Sequence, residues 1–204
     1  MNFNELGIIL FNITVILCSF STIGYLSSLL IKRVRLAKIS TWILFFAFGF
    51  LTINLLSILF NSSGFINPGS RDFLSLCAWS ICAVYLALQV KTKTRVLGAF
   101  ISPFILLFLI AAAGQEAGRT LLPDNLRSPL TSVHLFLTIV GEALFIIASC
   151  AGVMFITQDW LLKNKKLSRM IKLLPSLNDL DRINHICLVW GFPVLSVGII
   201  AGAV

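Results

Sequence analysis

The sequence predicts an all-α membrane protein of about six transmembrane helices, and three observations support this prediction. Hydrophobic residues make up 58% of the 204-residue chain and charged residues only 12%, against about 25% charged residues in a typical soluble domain. The mean hydropathy is +0.97. The apolar residues form long blocks instead of alternating with polar ones, which favours membrane-spanning helices over strands. This composition disfavours both a soluble enzyme and a disordered chain.

Six apolar blocks reach the length of about 17–25 residues that a spanning helix needs. They cover residues 7–31, 42–60, 73–90, 96–114, 133–157 and 186–204. We interpret residues 1–204 as one transmembrane domain, with a four-span half over residues 1–127 and a second half over residues 128–204. The last block is apolar up to the final residue, so we expect the second half to be truncated at its C-terminus.

Lysine and arginine are distributed unevenly between the connections. The first, third and fifth connections hold 13 of the 16 basic residues, and the other two hold only Arg71, Arg119 and Arg127. Because basic residues concentrate on the cytoplasmic side of a membrane, both termini are predicted to lie outside. A net charge of +8 would suggest a nucleic-acid partner for a soluble chain. Here the basic clusters lie between apolar blocks and match no nucleic-acid-binding motif.

Thiol and carboxyl groups within the apolar blocks each have two interpretations. The five cysteines are expected to be inert, membrane-embedded thiols, with metal or redox chemistry as the alternative; they are Cys18, Cys77, Cys82, Cys150 and Cys187. Glu142 lies near the middle of the fifth block, where an ionisable group is costly. It is either a neutral carboxyl hydrogen-bonded to a neighbouring helix or a proton or ligand site.

The longest cytoplasmic connection covers residues 158–183 and combines apolar residues at helical spacing with lysines and arginines. This pattern predicts a basic amphipathic segment on the anionic inner leaflet, or alternatively a docking surface for a regulatory partner. Pro175 ends that segment. Ser176 and Asp179 have the spacing of a capping box, which predicts a new helix that continues into the last span.

The outer connection before the fifth block predicts a histidine at the membrane boundary. Thr131 or Ser132 can cap the next helix, which places His134 in its first turn. A helix N-terminus favours the neutral imidazole, the form that ligates metals, haem iron included. The alternative is a histidine that only forms hydrogen bonds. In the last block, Gly198 and Gly202 form a G-x-x-x-G pair that permits close helix packing.

These features together resemble the cytochrome c assembly protein family. The resemblance rests on His134 at the start of a long apolar span and on three later segments, which are QDWLLK at 158–163, LPSLNDLDRIN at 174–184 and GFPVLSVGIIAG at 191–202. The family includes CcsA- and CcmC-type haem-handling proteins and HemX-like membrane proteins, and the eight-span HemX-like branch fits best. The resemblance covers about residues 128–204, and only span number and topology agree before that.

The resemblance implies that His134 is one axial ligand to haem on the outer side of the membrane. In the family, a tryptophan-rich WWD segment, a further span and a second outer histidine follow the G-x-x-x-G helix, and this sequence ends before them. Gly141 and Glu142 depart from the family pattern, because relatives often carry an aromatic residue such as Tyr there.

We therefore expect a component of cytochrome c biogenesis in the bacterial inner (cytoplasmic) membrane that handles or delivers haem on the outer side. Arg119 and Arg127 are candidates to pair with the haem propionates, with loop solvation as the alternative. The other functional hypothesis is a HemX-like regulator of tetrapyrrole synthesis without tight haem binding. Expected partners are the lipid bilayer, haem and other cytochrome c assembly proteins. We expect no enzymatic activity, because no P-loop, zinc signature or nucleophile elbow is present.

Overall fold

The computed structural model describes residues 3–31, 34–61, 69–92, 95–115, 129–163 and 175–203. Within these residues the chain is all-helical and contains no strand. The helices are α1 (Phe3–Ile31), α2 (Val34–Asn61), α3 (Ser70–Thr92), α4 (Gly98–Ala113), α5 (Pro129–Lys163) and α6 (Leu177–Ala203), and a 3-10 turn (Arg95–Leu97) precedes α4.

Helix length and composition identify a polytopic membrane protein. Five of the described helices are long and apolar enough to cross a membrane, and α4 is a shorter apolar helix of 16 residues. Together with its 3-10 turn, α4 is roughly 30 Å long, about the thickness of the hydrocarbon core. The fourth predicted block therefore forms a helix, but its first turn is more tightly wound than the others.

The start of α5 differs from the prediction. The helix begins at Pro129, and a proline suits the first helical position because its missing N–H would have no partner there. Thr131 and Ser132 consequently lie inside α5 and do not cap it. His134 is the sixth helical residue and lies beyond the first turn, where the helix N-terminus acts on it less strongly than we expected.

The start of α6 confirms that a new helix begins after Pro175, with the Ser176 side chain as its cap. The Ser176 hydroxyl accepts a hydrogen bond from the Asp179 backbone N–H at 3.2 Å and donates one to the Asp179 carboxylate at 2.6 Å. The helix then continues from Leu177 to Ala203 without interruption at Pro193. The predicted amphipathic segment before it falls mostly within residues 164–174, which lie outside the described residues.

The helices pack as three antiparallel hairpins, α1–α2, α3–α4 and α5–α6. In the first, Ser21 near the end of α1 donates a hydrogen bond to the Ser40 carbonyl near the start of α2. All six helices alternate in direction through the bundle. We call the end where α1, α3 and α5 finish the basic end, because the lysine- and arginine-rich connections join helices there. We call the opposite end, where α5 starts and α6 finishes, the His134 end.

The interior of the bundle is apolar and includes every cysteine. All five thiols are free and at most 5% exposed, so the predicted burial of the cysteines is confirmed. Near the basic end the core also holds Tyr25 and Tyr85, whose hydroxyls are 3.2 Å apart and whose rings meet edge to face. Gly98, at the start of α4, packs directly against both rings.

Candidate functional site

His134 is joined to α6 by a hydrogen bond across the α5–α6 hairpin. Its Nδ1 atom lies 2.6 Å from the carbonyl oxygen of Gly198. A carbonyl oxygen only accepts hydrogen bonds, so Nδ1 carries the proton and donates. In the neutral ring Nε2 is then unprotonated, and it has no hydrogen-bond partner among the described residues. The half-buried imidazole is thus held in one orientation by its Nδ1 contact.

The imidazole of His134 occupies space that is free because Gly202 has no side chain. A Cβ atom added at Gly202 would overlap Nδ1, Cε1 and Cγ of the His134 ring. A Cβ at Gly198 would lie 3.1 Å from the Thr138 backbone nitrogen, which is also unusually close. The G-x-x-x-G pair therefore does more than allow close helix packing. One glycine provides the carbonyl that orients His134, and the other leaves room for its ring.

The same hairpin is closely packed further along its length. A Cβ at Gly141 would lie 2.9 Å from Cβ of Leu195 and 3.1 Å from its backbone nitrogen. A Cβ at Gly191 would come within 3.2 Å of Cβ of Leu144. Gly141 is one of the two departures from the family pattern, and in this chain it allows α5 and α6 to approach at the crossing.

Of the three predicted haem-site residues, the described part of the chain includes only His134. Arg119 and Arg127 lie outside the described residues. The second histidine of the chain, His185, is exposed on α6 toward the basic end. It is 13 residues from Gly198, which is roughly 20 Å along the helix. His134 is therefore the only histidine at its end of the bundle.

The position of Glu142 does not agree with the simpler interpretation, a neutral carboxyl that is hydrogen-bonded to a neighbouring helix. Its side chain is exposed on the surface of the bundle within the α5 span, and it forms no hydrogen bond to a neighbouring helix in the described part of the chain. The expected interhelical hydrogen bond is thus not present in this structure. The carboxyl lies near the α3–α5 contact, close enough to act electrostatically on Cys77.

A small cavity at the His134 end lies on a different side of α5 from the histidine. It has a volume of about 300 Å³ and is enclosed by α2, α3 and α5, with Trp79, Ser132, Leu135 and Phe136 in its wall. The Trp79 indole N–H donates to the Thr52 hydroxyl at 2.9 Å beside it. Because His134 points toward α6 instead, this cavity and the imidazole do not form a single site.

The fold and the site define a class of protein, namely a multi-pass helical membrane protein with one boundary histidine oriented by a backbone carbonyl. Within the described residues no group of three or more His, Cys, Asp or Glu side chains is arranged to hold a metal ion. A metal at this end would therefore need a ligand from a prosthetic group, from other parts of the chain or from a partner.

Comparison with known proteins identifies the family. The family model described as "Cytochrome C assembly protein" matches residues 70–204, which include α3 to α6, and the chain belongs to this family. The match begins well before residue 128, which is where the family resemblance predicted from the sequence begins.

Among curated relatives, the chain is 21% identical over 193 residues to Protein HemX of Bacillus subtilis (strain 168), an alignment that covers 94% of this chain and 70% of that protein. It is 25% identical over 225 residues to the cytochrome c biogenesis protein CcsA of Porphyra purpurea, with 88% and 69% covered. It is 30% identical over 141 residues to CcsA of Chlamydomonas reinhardtii, with 66% and 38% covered. No solved structure matches the chain.

Proposed function

We propose that this protein takes part in cytochrome c biogenesis by holding haem on the outer side of the membrane, with His134 as one axial ligand. The observation that carries the proposal is the hydrogen bond from His134 Nδ1 to the Gly198 carbonyl. Histidines that ligate metals usually donate their other ring N–H to a carbonyl or carboxylate, which fixes the tautomer and the ring plane. His134 has that arrangement with the Gly198 carbonyl.

Haem is the cargo in this proposal and supplies the iron that Nε2 of His134 would bind. The chain's own residues have three tasks. His134 provides the ligand, Gly198 orients it, and Gly202 keeps its ring unobstructed. Arg119 and Arg127 belong to the connection that leads into α5, and we propose that they pair with haem propionates because a guanidinium group matches carboxylate geometry.

The helix directions and the charge distribution support the proposed outer location of the site. The start of α5 lies at the opposite end of the bundle from the basic connections. Since basic connections face the cytoplasm, we propose that the His134 end faces outward, in a multi-pass protein of the bacterial inner membrane. Binding and delivery of haem need no nucleophile or acid–base pair, so the proposed role is not enzymatic.

A HemX-like role in regulating tetrapyrrole synthesis is the second candidate. It is supported by the alignment with Protein HemX, which extends over 94% of this chain. The two candidates differ in what they require of His134. Haem handling requires the imidazole as a ligand, whereas regulation without tight haem binding does not.

The test is a haem titration of the purified full-length chain in lipid nanodiscs, followed by absorption spectroscopy. We expect the wild type to give a shifted Soret band and His134→Ala to lose at least tenfold in haem affinity, because an axial ligand is removed. His185→Ala is the matched control and should bind as the wild type does. In His134→Gly, added imidazole should restore the spectrum, which a purely structural role for His134 would not produce. Equal haem binding by wild type and His134→Ala would contradict the proposal and favour the regulatory role.

A further inference from the structure

A second cavity lies at the basic end, away from His134. It has a volume of about 530 Å³ and is lined by α2 and α3, within the range of about 300–1,000 Å³ that is usual for ligand sites. It opens on the outer surface of the bundle, because Trp42, Phe45 and Val90 in its wall are more than half exposed. In a membrane this opening faces lipid.

Aromatic rings form the wall on the α2 side. Trp42 and Phe45 meet edge to face with centroids 6.1 Å apart. Phe48, deeper in the cavity, stacks on Trp79 at 5.6 Å, and Trp79 is itself fixed by its hydrogen bond to Thr52. Leu86 completes the wall from α3. These rings form an ordered apolar slot suited to an extended hydrocarbon chain.

The polar groups of the cavity are at its end nearest the basic connections. Among the described residues of the lining, Lys38 is the only one with a charged side chain, and it is exposed. Thr41 donates its hydroxyl proton to the Ala37 carbonyl at 2.8 Å, so it can only accept from Gln89, whose Nε2 lies 3.0 Å away. This fixes the orientation of the Gln89 amide and leaves its Oε1 without a donor.

We propose that this cavity is a binding site for an anionic phospholipid of the leaflet at the basic end. The Lys38 ammonium pairs with the lipid phosphate, and one acyl chain lies between the α2 aromatic rings and Leu86. The charge and the apolar slot occur in the order in which a phospholipid presents its phosphate and its chains. The inference does not depend on haem binding.

The experiment measures lipid retention by native mass spectrometry after exchange of the full-length protein into nanodiscs of equal phosphatidylglycerol and phosphatidylcholine. We expect the wild type to retain phosphatidylglycerol preferentially. Lys38→Gln should reduce that preference about fivefold, the effect of one lysine at an anionic surface. Lys163→Gln is the matched control, because Lys163 is an exposed lysine at the same end that pairs with Asp159 at 2.7 Å. It should leave the preference unchanged.

Two further arms identify the occupant. Trp42→Ala should reduce the retention of both lipids by opening the slot, whereas a purely electrostatic attraction would be unaffected. Inorganic phosphate at millimolar concentration should not displace the lipid if the acyl chain contributes to binding. Displacement by phosphate would assign the site to a free anion and overturn the proposal. An equal response of Lys38→Gln and Lys163→Gln, or no preference in the wild type, would also overturn it.

Discussion

Gly202→Ala is expected to displace the His134 imidazole and to weaken haem binding at least tenfold. The added Cβ would occupy the position of the ring, and we expect the ring to move away from the Gly198 carbonyl to avoid it. Loss of that hydrogen bond costs about 0.5–1.5 kcal/mol, so the cost in stability is modest. If His134 ligates haem as proposed, the larger effect falls on haem affinity, because the proposed ligand nitrogen is no longer held in place. Haem titration of the purified variant measures it.

The matched control for this variant is Gly152→Ala, in α5 of the same hairpin. A Cβ at Gly152 meets nothing within 4 Å, so this change should leave haem affinity unaltered. It should also keep or slightly raise the free energy of unfolding, by up to about 1 kcal/mol from helix propensity. If Gly202→Ala and Gly152→Ala bound haem equally well, the role assigned to Gly202 would be wrong.

Gly98→Ala is expected to be the most destabilising single methyl addition in the described bundle. Its Cβ would overlap the Tyr85 hydroxyl and the Tyr25 ring. Both tyrosines are completely enclosed, at 0% and 1% exposure, and the Tyr25 hydroxyl is also bonded to Thr41 at 2.9 Å. Overpacking costs about 1–3 kcal/mol, and a disrupted buried hydrogen bond adds about 1–3 kcal/mol. We therefore expect a loss of about 3 kcal/mol or more in the free energy of unfolding.

Unfolding in mixed detergent and SDS measures this loss, with Gly49→Ala as the control. Gly49 lies in the middle of α2, and a Cβ there meets nothing within 4 Å. That variant should unfold like the wild type or slightly later. Equal stability of the Gly98 and Gly49 variants would show that the tyrosine cluster can rearrange freely and that its packing contributes little.

Structural features that depend on residues close together in the sequence were predictable. Ser176 and Asp179 are three residues apart, and their capping interaction depends only on that spacing, so the start of α6 was predicted correctly. Long apolar runs must satisfy their backbone groups internally, which determined the helical class and the approximate positions of the spans. The positions of lysine and arginine along the chain grouped the helix ends, because these positions are read directly from the sequence.

Features set by helix–helix register were not predictable. The contact of His134 with Gly198 and Gly202 joins residues more than 60 positions apart, and it depends on how far α5 slides along α6. The sequence did predict that the start of α5 lies near the end of α6, because the two helices form an antiparallel hairpin. That topology does not determine which residues of the two helices are in contact. Gly98 and its two tyrosines, from α4, α1 and α3, were missed for the same reason.

The start of α5 was predicted too late because hydropathy, not backbone geometry, defined the block. Pro129 lies in the polar connection before the apolar block. A proline is nevertheless well suited to the first helical turn, so the helix extends into the connection. For Glu142, the predicted environment of the side chain was wrong. Its position in the chain suggested a buried partner, but the helix rotation that places it on the bundle surface is a tertiary property.

The function proposed for His134 requires that the start of α5 faces away from the cytosol, and labelling the two ends of this one helix tests that directly. Leu130 and Lys163 are both exposed, at opposite ends of α5, while the native cysteines are enclosed and give little background. In intact cells, a membrane-impermeant maleimide should label Leu130→Cys, and it should label Lys163→Cys only after permeabilisation. Labelling of Lys163→Cys in intact cells, with Leu130→Cys protected until permeabilisation, would place His134 on the cytosolic side and contradict the proposed role.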